Sequence, residues 1–469
     1  MSKSQQSLSR FCPGIIAKYI GEAAKARGIC SSKGDIQGLF TEQSLPQETK
    51  RVIIQGIAPA LFLPVIRSAW HNGWMVAVIR SDISNDHLQH FLTQLSPSLY
   101  ISTANMTLSY NDRPGMFSET DIKNTSFTVS KPYAWQENQC AAVLFTSGST
   151  GVPKGICHSY GNMLRSAQLF ARHFDLQSYD HLYCLAPPHS MSGFRSVLLP
   201  LVTEARVTMH PVAGDSFLSI IKQLAQRRPT KVLCGPVFVH QLAAYGKRLL
   251  EYLHGIDSLL CTGATLNRKD QQTVQDIFHI TVLNYYGLTE TAGIVLGEKT
   301  GHRAQTNLPP PCAGVEVVLQ SVEDSPTTFQ LHIKSDNLFL GYLGENLQRR
   351  TSFYTGDLVR PSQNGALTLI GRATEAVKAP STEWIFPSVL ENWLKEKKYC
   401  TDVVVHGVPI PGGHGLEVWL NTHGYFNRSE IEEAISSTIG ADYRPVAWHQ
   451  AKIARNALGK LEHYTTQQL

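Results

Sequence analysis

The residues Leu144-Phe145-Thr146-Ser147-Gly148-Ser149-Thr150-Gly151-Val152-Pro153-Lys154-Gly155 carry the densest chemistry in the chain. Two apolar residues end a strand, and hydroxyl side chains, glycines and a lysine follow. Glycines let backbone N–H groups turn toward an anion, and hydroxyls and an ammonium add donors and charge. This is what a loop needs to hold a triphosphate. It is not a Walker loop, because Lys154 is followed by glycine rather than Ser or Thr and the spacing differs. Further along, Asn284-Tyr285-Tyr286-Gly287-Leu288-Thr289-Glu290 follows an apolar run. A carboxylate beside a phosphate site serves as a Mg²⁺ ligand, since Mg²⁺ takes few carboxylates together with phosphate oxygens. An aromatic ring before a glycine can stack on a purine. In Tyr354-Thr355-Gly356-Asp357 an aspartate on a glycine turn can accept hydrogen bonds from both ribose hydroxyls.

The elements that must position these groups follow from hydrophobic periodicity. Residues 14–28 place apolar side chains at helical spacing. Residues 51–55 and 74–79 read as strands with a helical stretch through Trp70 between them. Strand and helix keep alternating through residues 100–101 and 141–145, the pattern of a parallel α/β sheet. Residues 160–174 and 217–227 read as helices, and 182–185, 231–234, 258–261 and 281–284 as buried strands. Residues 314–370 carry short alternating strands, a small β-rich subdomain. Beyond Gly371-Arg372 come a hairpin, a helix (388–397), a strand (403–406), a second helix (429–439) and a terminal loop. The expected fold is α/β: a large unit, 1–371, of parallel α/β subdomains plus the β-rich subdomain, then a small α+β unit, 372–469.

The bulk numbers set limits. Of 469 residues, 42% are hydrophobic and 17% charged, an ordinary globular composition. A net charge of +5 suits one polyanionic nucleotide and argues against a nucleic-acid surface. Nine scattered cysteines without a C-x-x-C argue against a disulfide framework and against structural zinc. The polar start, Met1-Ser2-Lys3-Ser4-Gln5-Gln6, lacks a signal peptide's apolar core, and no uncharged apolar run reaches the length of a membrane span. A cytoplasmic, reducing location is expected.

In this order, the motifs resemble those of the adenylate-forming superfamily: acyl- and aryl-CoA synthetases, luciferases and the adenylation domains of peptide synthetases. The resemblance runs from about Arg51 to Lys460. It implies a nucleotide site in which Thr146, Ser147, Gly148, Ser149, Thr150, Gly151 and Lys154 hold the ATP phosphates. It implies Thr289 on phosphate, Glu290 on Mg²⁺, and Gly263, Ala264, Thr265, Tyr285, Tyr286 and Gly287 around adenine. Asp357 would take the ribose, and Arg372 would be a second ribose or phosphate contact. Near the end of the chain, Arg455-Asn456-Ala457-Leu458-Gly459-Lys460-Leu461 resembles the superfamily's C-terminal lysine motif. Lys460 would neutralise the charge that grows on the attacked phosphate. An isolated Gly-Lys reads better as a solvated tail lysine; its place after the other motifs tips the reading to function. His189, Ser190, Gly193, Cys234, Phe238 and Cys261 would line the acyl pocket, and Thr374 would be the hinge of a mobile small domain.

The expected function is an ATP-dependent acid–thiol ligase of secondary metabolism. A carboxylic acid forms an acyl-adenylate and pyrophosphate, and the acyl group passes to CoA or to the phosphopantetheinyl thiol of an acyl or peptidyl carrier protein. Transfer to an amine or hydroxyl is the alternative, and a catalytically weak nucleotide-binding protein is a third reading. No acidic residue occurs between Leu182 and Thr203, where amino-acid-activating members pair the substrate ammonium, so an aryl or small to medium acyl acid is expected. His240, in the otherwise apolar segment 234–240, reads as a structural histidine. Three residues depart from the family: Thr374 stands where Asp or Lys is usual, and Ser381-Thr382 stand where glycines flank the thiol passage.

Overall fold

The structure, a computed structural model, describes residues 50–56, 59–81, 83–97, 99–102, 108–110, 113–115, 132–146, 153–210, 215–301, 306–322, 325–381, 383–422, 427–455 and 461–466. The helix expected over 14–28 lies outside the described residues.

Three sheets build the larger part. The first has eight strands, in the order 341–342, 154–159, 140–146, 75–79, 51–55, 99–102, 108–110 and 113–115. Its middle strands are parallel, Val52 opposite Val76 and Val76 opposite Ala142. Met75–Ile79 is buried along its whole length. Strands covered on both faces read as continuous apolar runs rather than alternations, which is why this one is legible in the sequence. The second sheet has six strands, 293–297, 281–288, 258–261, 231–234, 181–184 and 206–209, parallel except for the first. A core with Trp70, Trp74, Phe170, Phe194 and Tyr285 joins the two sheets through the helices Tyr160–His173 and Met191–Leu198. A second core, with Tyr183, Cys234, Phe238 and Cys261, fills the other face of the six-stranded sheet. The third sheet is antiparallel: 316–322, 325–334, 352–361 and 367–372.

The last part has its own core around Ile385, Leu390, Trp393, Val403, Leu416 and Ile435. A two-stranded hairpin, Val377–Lys378 with Trp384–Ile385, leads into the helix Pro387–Glu396. A four-stranded sheet of 402–410, 413–421, 445–455 and 461–466 and the helix Arg428–Thr438 complete it. The terminal loop expected from sequence is therefore corrected: Pro445–Arg455 pairs parallel to Gly413–Asn421, and Leu461–Thr466 returns antiparallel. Its mixed polar and apolar residues hide a half-exposed strand. The strand expected over 281–284 also runs further, to Leu288, and turns through residues 289–292 into Gly293–Gly297.

The described cysteines, Cys140, Cys157, Cys184, Cys234, Cys261, Cys312 and Cys400, are free thiols. No helix among the described residues is long and apolar enough to cross a membrane.

Candidate active site

The phosphate-loop candidate sits at the end of a β-hairpin. Cys140–Thr146 pairs antiparallel with Lys154–Ser159, and register sets Thr146 opposite Lys154. Residues 147–152, with Ser147, Gly148, Ser149, Thr150 and Gly151, lie outside the described residues. Lys154 is exposed, and its Nζ stands 5.7 Å from the ring centre of Tyr342. The Tyr342 hydroxyl donates to Glu290 Oε1 at 3.2 Å. One phenol thus links the candidate phosphate lysine to the candidate metal carboxylate. Burial and the Glu290 carboxylate push the Tyr342 hydroxyl pKa up, so it remains a donor at neutral pH. Sequence reasoning missed Tyr342. It lies in the two-residue strand Gly341–Tyr342, set beside Lys154 only by its pairing with Ile156 and Cys157. Thr289 and Glu290 occupy the turn after Leu288, closed by Ala292 N–H to Thr289 C=O at 3.0 Å. The Glu290 carbonyl accepts from Phe339 N–H at 2.8 Å, which ties this turn to the Tyr342 segment. His158 packs beneath; full burial holds its imidazole down to about 3, so it is neutral.

The ribose candidate is better ordered than a plain hairpin turn requires. The turn expected at Gly356 is corrected: Gly356, at φ +77°, lies inside the strand Ser352–Pro361, and Asp357 N–H donates to Thr355 Oγ1 at 3.0 Å. Asp357 is 3% exposed. Its Oδ1 pairs with Arg372 Nε at 2.7 Å, and its Oδ2 accepts from the Tyr286 hydroxyl. Arg372 Nη1 also donates to Thr355 C=O at 2.9 Å. Desolvation pushes the Asp357 carboxyl above its ordinary value, while Arg372 and the Tyr286 hydrogen bond hold it down. The structure thus brings Tyr286, Asp357 and Arg372 together. Tyr285, one residue earlier on the strand, points to the opposite face and into the core between the sheets. It therefore does not join Tyr286 at the nucleoside candidate. Gly263, at φ +104°, with Ala264 and Thr265, follows the end of strand Ser258–Cys261.

In the acyl-pocket segment, Ser190 caps the helix Met191–Leu198 by accepting from Gly193 N–H at 3.1 Å, and donates to Pro187 C=O at 2.7 Å. A Cβ at Gly193 would lie 2.0 Å from that carbonyl oxygen, so only glycine fits the turn. His189 is half-buried at the same bend. Cys234, Phe238 and Cys261 are placed otherwise. They face the second core, while Leu233 and Leu260 of the same strands face Met191 and Phe194. Strand alternation separates the two sets. Arg195, on the same helix, is fully buried, and sequence reasoning missed it. His240 points outward and pairs with Asp270 at 2.8 Å, the structural role expected of it.

Thr374 is exposed in the turn directly after the strand Leu367–Arg372. Ser381 donates to Asp442 Oδ2 at 2.8 Å, and Thr382 lies outside the described residues. So do residues 456–460, which include Lys460. Just before them Arg455 is anchored: Nε pairs with Asp402 Oδ2 at 2.6 Å, and Nη2 donates to Val403 C=O at 3.0 Å.

A family model described as AMP-binding enzyme matches residues 47–343. A medium-chain fatty-acid–CoA ligase of Escherichia coli is 28% identical over 279 residues, 54% of this chain and 46% of that protein. The match thus spans about half of that relative's length. A 2-succinylbenzoate–CoA ligase of Bacillus pumilus is 23% identical over 70% of this chain and 68% of its own. In structure, an O-succinylbenzoate coenzyme A synthetase from Bacillus subtilis, in complex with AMP, superposes with a TM-score of 0.76. That likeness covers 96% of this chain and 91% of the other at 16% identity, and it establishes a shared fold.

Proposed function

This chain belongs to the AMP-binding enzyme family, and on that premise we propose that it is an ATP-dependent carboxylic acid ligase of the acid–thiol class. One observation carries the reading. The strand Thr281–Leu288 and the turn after it send Tyr286 to Asp357 and Glu290 to Tyr342 beside Lys154. Groups suited to a nucleoside and groups suited to a triphosphate are thereby held on one rigid element.

The residues present suit Mg²⁺ bound with ATP. Among the described residues no group of three or more His, Cys, Asp or Glu could cage a metal. A single carboxylate, Glu290, with phosphate oxygens completing the shell, fits the way Mg²⁺ binds at nucleotide sites. When bound, the ion would neutralise phosphate charge as pyrophosphate leaves. Asp357 would accept from the ribose hydroxyls in place of the Tyr286 hydroxyl. Lys154 would hold the outer phosphates. Lys460 would offset charge growing on the attacked α-phosphate, and attack by the acid's carboxylate would give acyl-adenylate and pyrophosphate. Rotation of the small unit about Thr374 would then admit the acceptor.

The proposed substrate is an aryl or small to medium acyl acid. Residues 182–203 hold no carboxylate to pair with an ammonium, and Arg195 in that segment would repel one. CoA is the first acceptor to test, supported by the naming of the relatives as CoA ligases. A carrier-protein thiol, an amine or a hydroxyl is the second reading. It is favoured by Ser381, whose hydroxyl is bound to Asp442 where a glycine is usual. The test is ATP–pyrophosphate exchange over a panel of carboxylic acids. Single-turnover transfer from preformed adenylate to CoA, a phosphopantetheinylated carrier and an amine then follows. ATP binding without exchange on any acid would leave the nucleotide-binding, catalytically weak reading standing instead.

A further inference from the structure

The buried acids of this protein have partners. Glu298, 0% exposed, is held by Arg268 at 2.9 Å and Gln271 at 2.9 Å. Asp357 has Arg372, and Glu432 has Arg428 and Arg444. Arg195 is different. It is 0% exposed, and its guanidinium lies 3.9 Å from the ring centre of Phe170 and 5.3 Å from that of Tyr285. Nη2 donates to the Tyr285 hydroxyl at 2.9 Å, and that hydroxyl donates to Ser192 Oγ at 3.2 Å. Nε and Nη1 have no hydrogen-bond partner among the described residues. Aromatic faces offset part of the cost of burying a cation, but a guanidinium keeps its charge and its full set of donors. Two unpartnered nitrogens on a buried charge are expensive unless something else arrives to pair them.

The unpartnered Nη1 packs against Gly293. A Cβ at Gly293 would lie 2.5 Å from Arg195 Nη1, so glycine at this position, with φ +102°, is what leaves the nitrogen room. Gly293 directly follows the turn that carries Thr289 and Glu290. Arg195 itself sits on the helix that Ser190 and Gly193 begin, the acyl-pocket candidate. We propose that Arg195 is a specificity-determining residue, and that the acid taken by this pocket carries a second anionic group, such as a distal carboxylate, which pairs with the open nitrogens. The inference rests on the ligase reading above and names its substrate class.

Matched acids separate the possibilities: hexanoate with hexanedioate, and benzoate with benzene-1,3- and 1,4-dicarboxylate. Each is tested on the wild type, Arg195→Gln and Arg195→Lys. ATP–pyrophosphate exchange is one readout, and the shift in melting temperature caused by the acid without ATP is the other. The wild type is expected to favour the diacids by tenfold or more in kcat/KM, mainly through KM. Arg195→Gln should lose on the order of a hundred-fold on diacids, as when one partner of a buried charge pair is removed. Arg195→Lys should keep a weakened diacid preference. Equal or better use of monoacids by the wild type, or an unchanged diacid preference in Arg195→Gln, would overturn the inference and leave the ligase reading intact. Diacid stabilisation of the wild type but not of Arg195→Gln, with no exchange on any acid, would keep the anion site and overturn the ligase reading. Neither exchange nor stabilisation overturns both. Should Arg195→Gln fail to fold, the wild-type and Arg195→Lys preferences decide alone.

Discussion

At Asp357, burial and pairing pull against each other, and the balance has a measurable consequence. The native carboxyl is raised above its ordinary value by desolvation. A group that binds its proton more readily in the folded state penalises folding at neutral pH, and the penalty fades as pH falls through the raised value. The proposed ribose contact needs the carboxylate. ATP affinity should therefore weaken on acidification from above the usual aspartate range, while the apo protein gains a little stability over the same window. Asp357→Asn should flatten that pH profile and weaken ATP binding at pH 7 by at least tenfold, given about 1.5–3 kcal/mol per hydrogen bond to a charged group. Titration calorimetry across pH decides it; a mutant with wild-type affinity would place the ribose elsewhere. Tyr342 makes a second case. Tyr342→Phe removes the hydroxyl that orients Glu290 but keeps the ring beside Lys154. The Mg²⁺ concentration for half-maximal exchange should rise several-fold, with little change in the ATP KM at saturating Mg²⁺. An unchanged Mg²⁺ dependence would reduce Tyr342 to packing. Asp357, Glu290 and Lys154 stand out in sequence as candidates because polar groups beside glycines have few structural uses. Tyr342 is not, since its neighbours come from strand pairing between distant segments.

The same contrast holds for the elements. Strands buried on both faces, such as Met75–Ile79 and Ser258–Cys261, and helices with a clean apolar stripe, such as Phe217–Arg227, match the sequence reading to within a residue or two. Elements built on tertiary pairing do not. The hairpin of 281–288 and 293–297 is hidden because its residues 287–290 show no strand alternation. Its tightness is testable. A Cβ at Gly287 would lie 1.8 Å from the Gly293 carbonyl oxygen. Gly287→Ala must therefore open the hairpin, and should cost more than about 3 kcal/mol, beyond the usual range for overpacking. At Gly365, φ +81° with nothing within 4 Å of a Cβ, alanine meets only the left-handed backbone penalty of about 1–2 kcal/mol. Thermal melts of the two variants compare them directly. Equal losses would mean that the hairpin relaxes freely and does not hold Tyr286 and Glu290 in fixed relation.

For the molecule as a whole, the question is how the larger part and the last part would share the proposed reaction. The last part packs around its own apolar cluster, and a small group, Leu358, Ile370 and Phe386, bridges it to the antiparallel sheet. The Ser388 hydroxyl donating to Ile370 C=O adds a polar contact at the same seam. On the proposed hinge, so small an apolar bridge next to the exposed turn at Thr374 would let one part turn on the other at modest cost. If the small unit serves adenylation in one pose and transfer in another, its residues should separate the two half-reactions. Lys460 belongs to the first: it would stabilise charge on the phosphate only while the adenylate forms. Lys460→Ala should lower ATP–pyrophosphate exchange on the order of a hundred-fold, as for other lost transition-state electrostatic groups. Transfer from supplied acyl-adenylate should stay within a few-fold of wild type. Asp402→Ala, which removes the carboxylate that holds Arg455 Nε just before the lysine segment, should lower exchange more mildly and in the same half-reaction. Both half-reactions measured on each variant give the answer: if Lys460→Ala turns over supplied adenylate as poorly as it makes it, the small unit works in a single pose, and Thr374 has no hinge to serve.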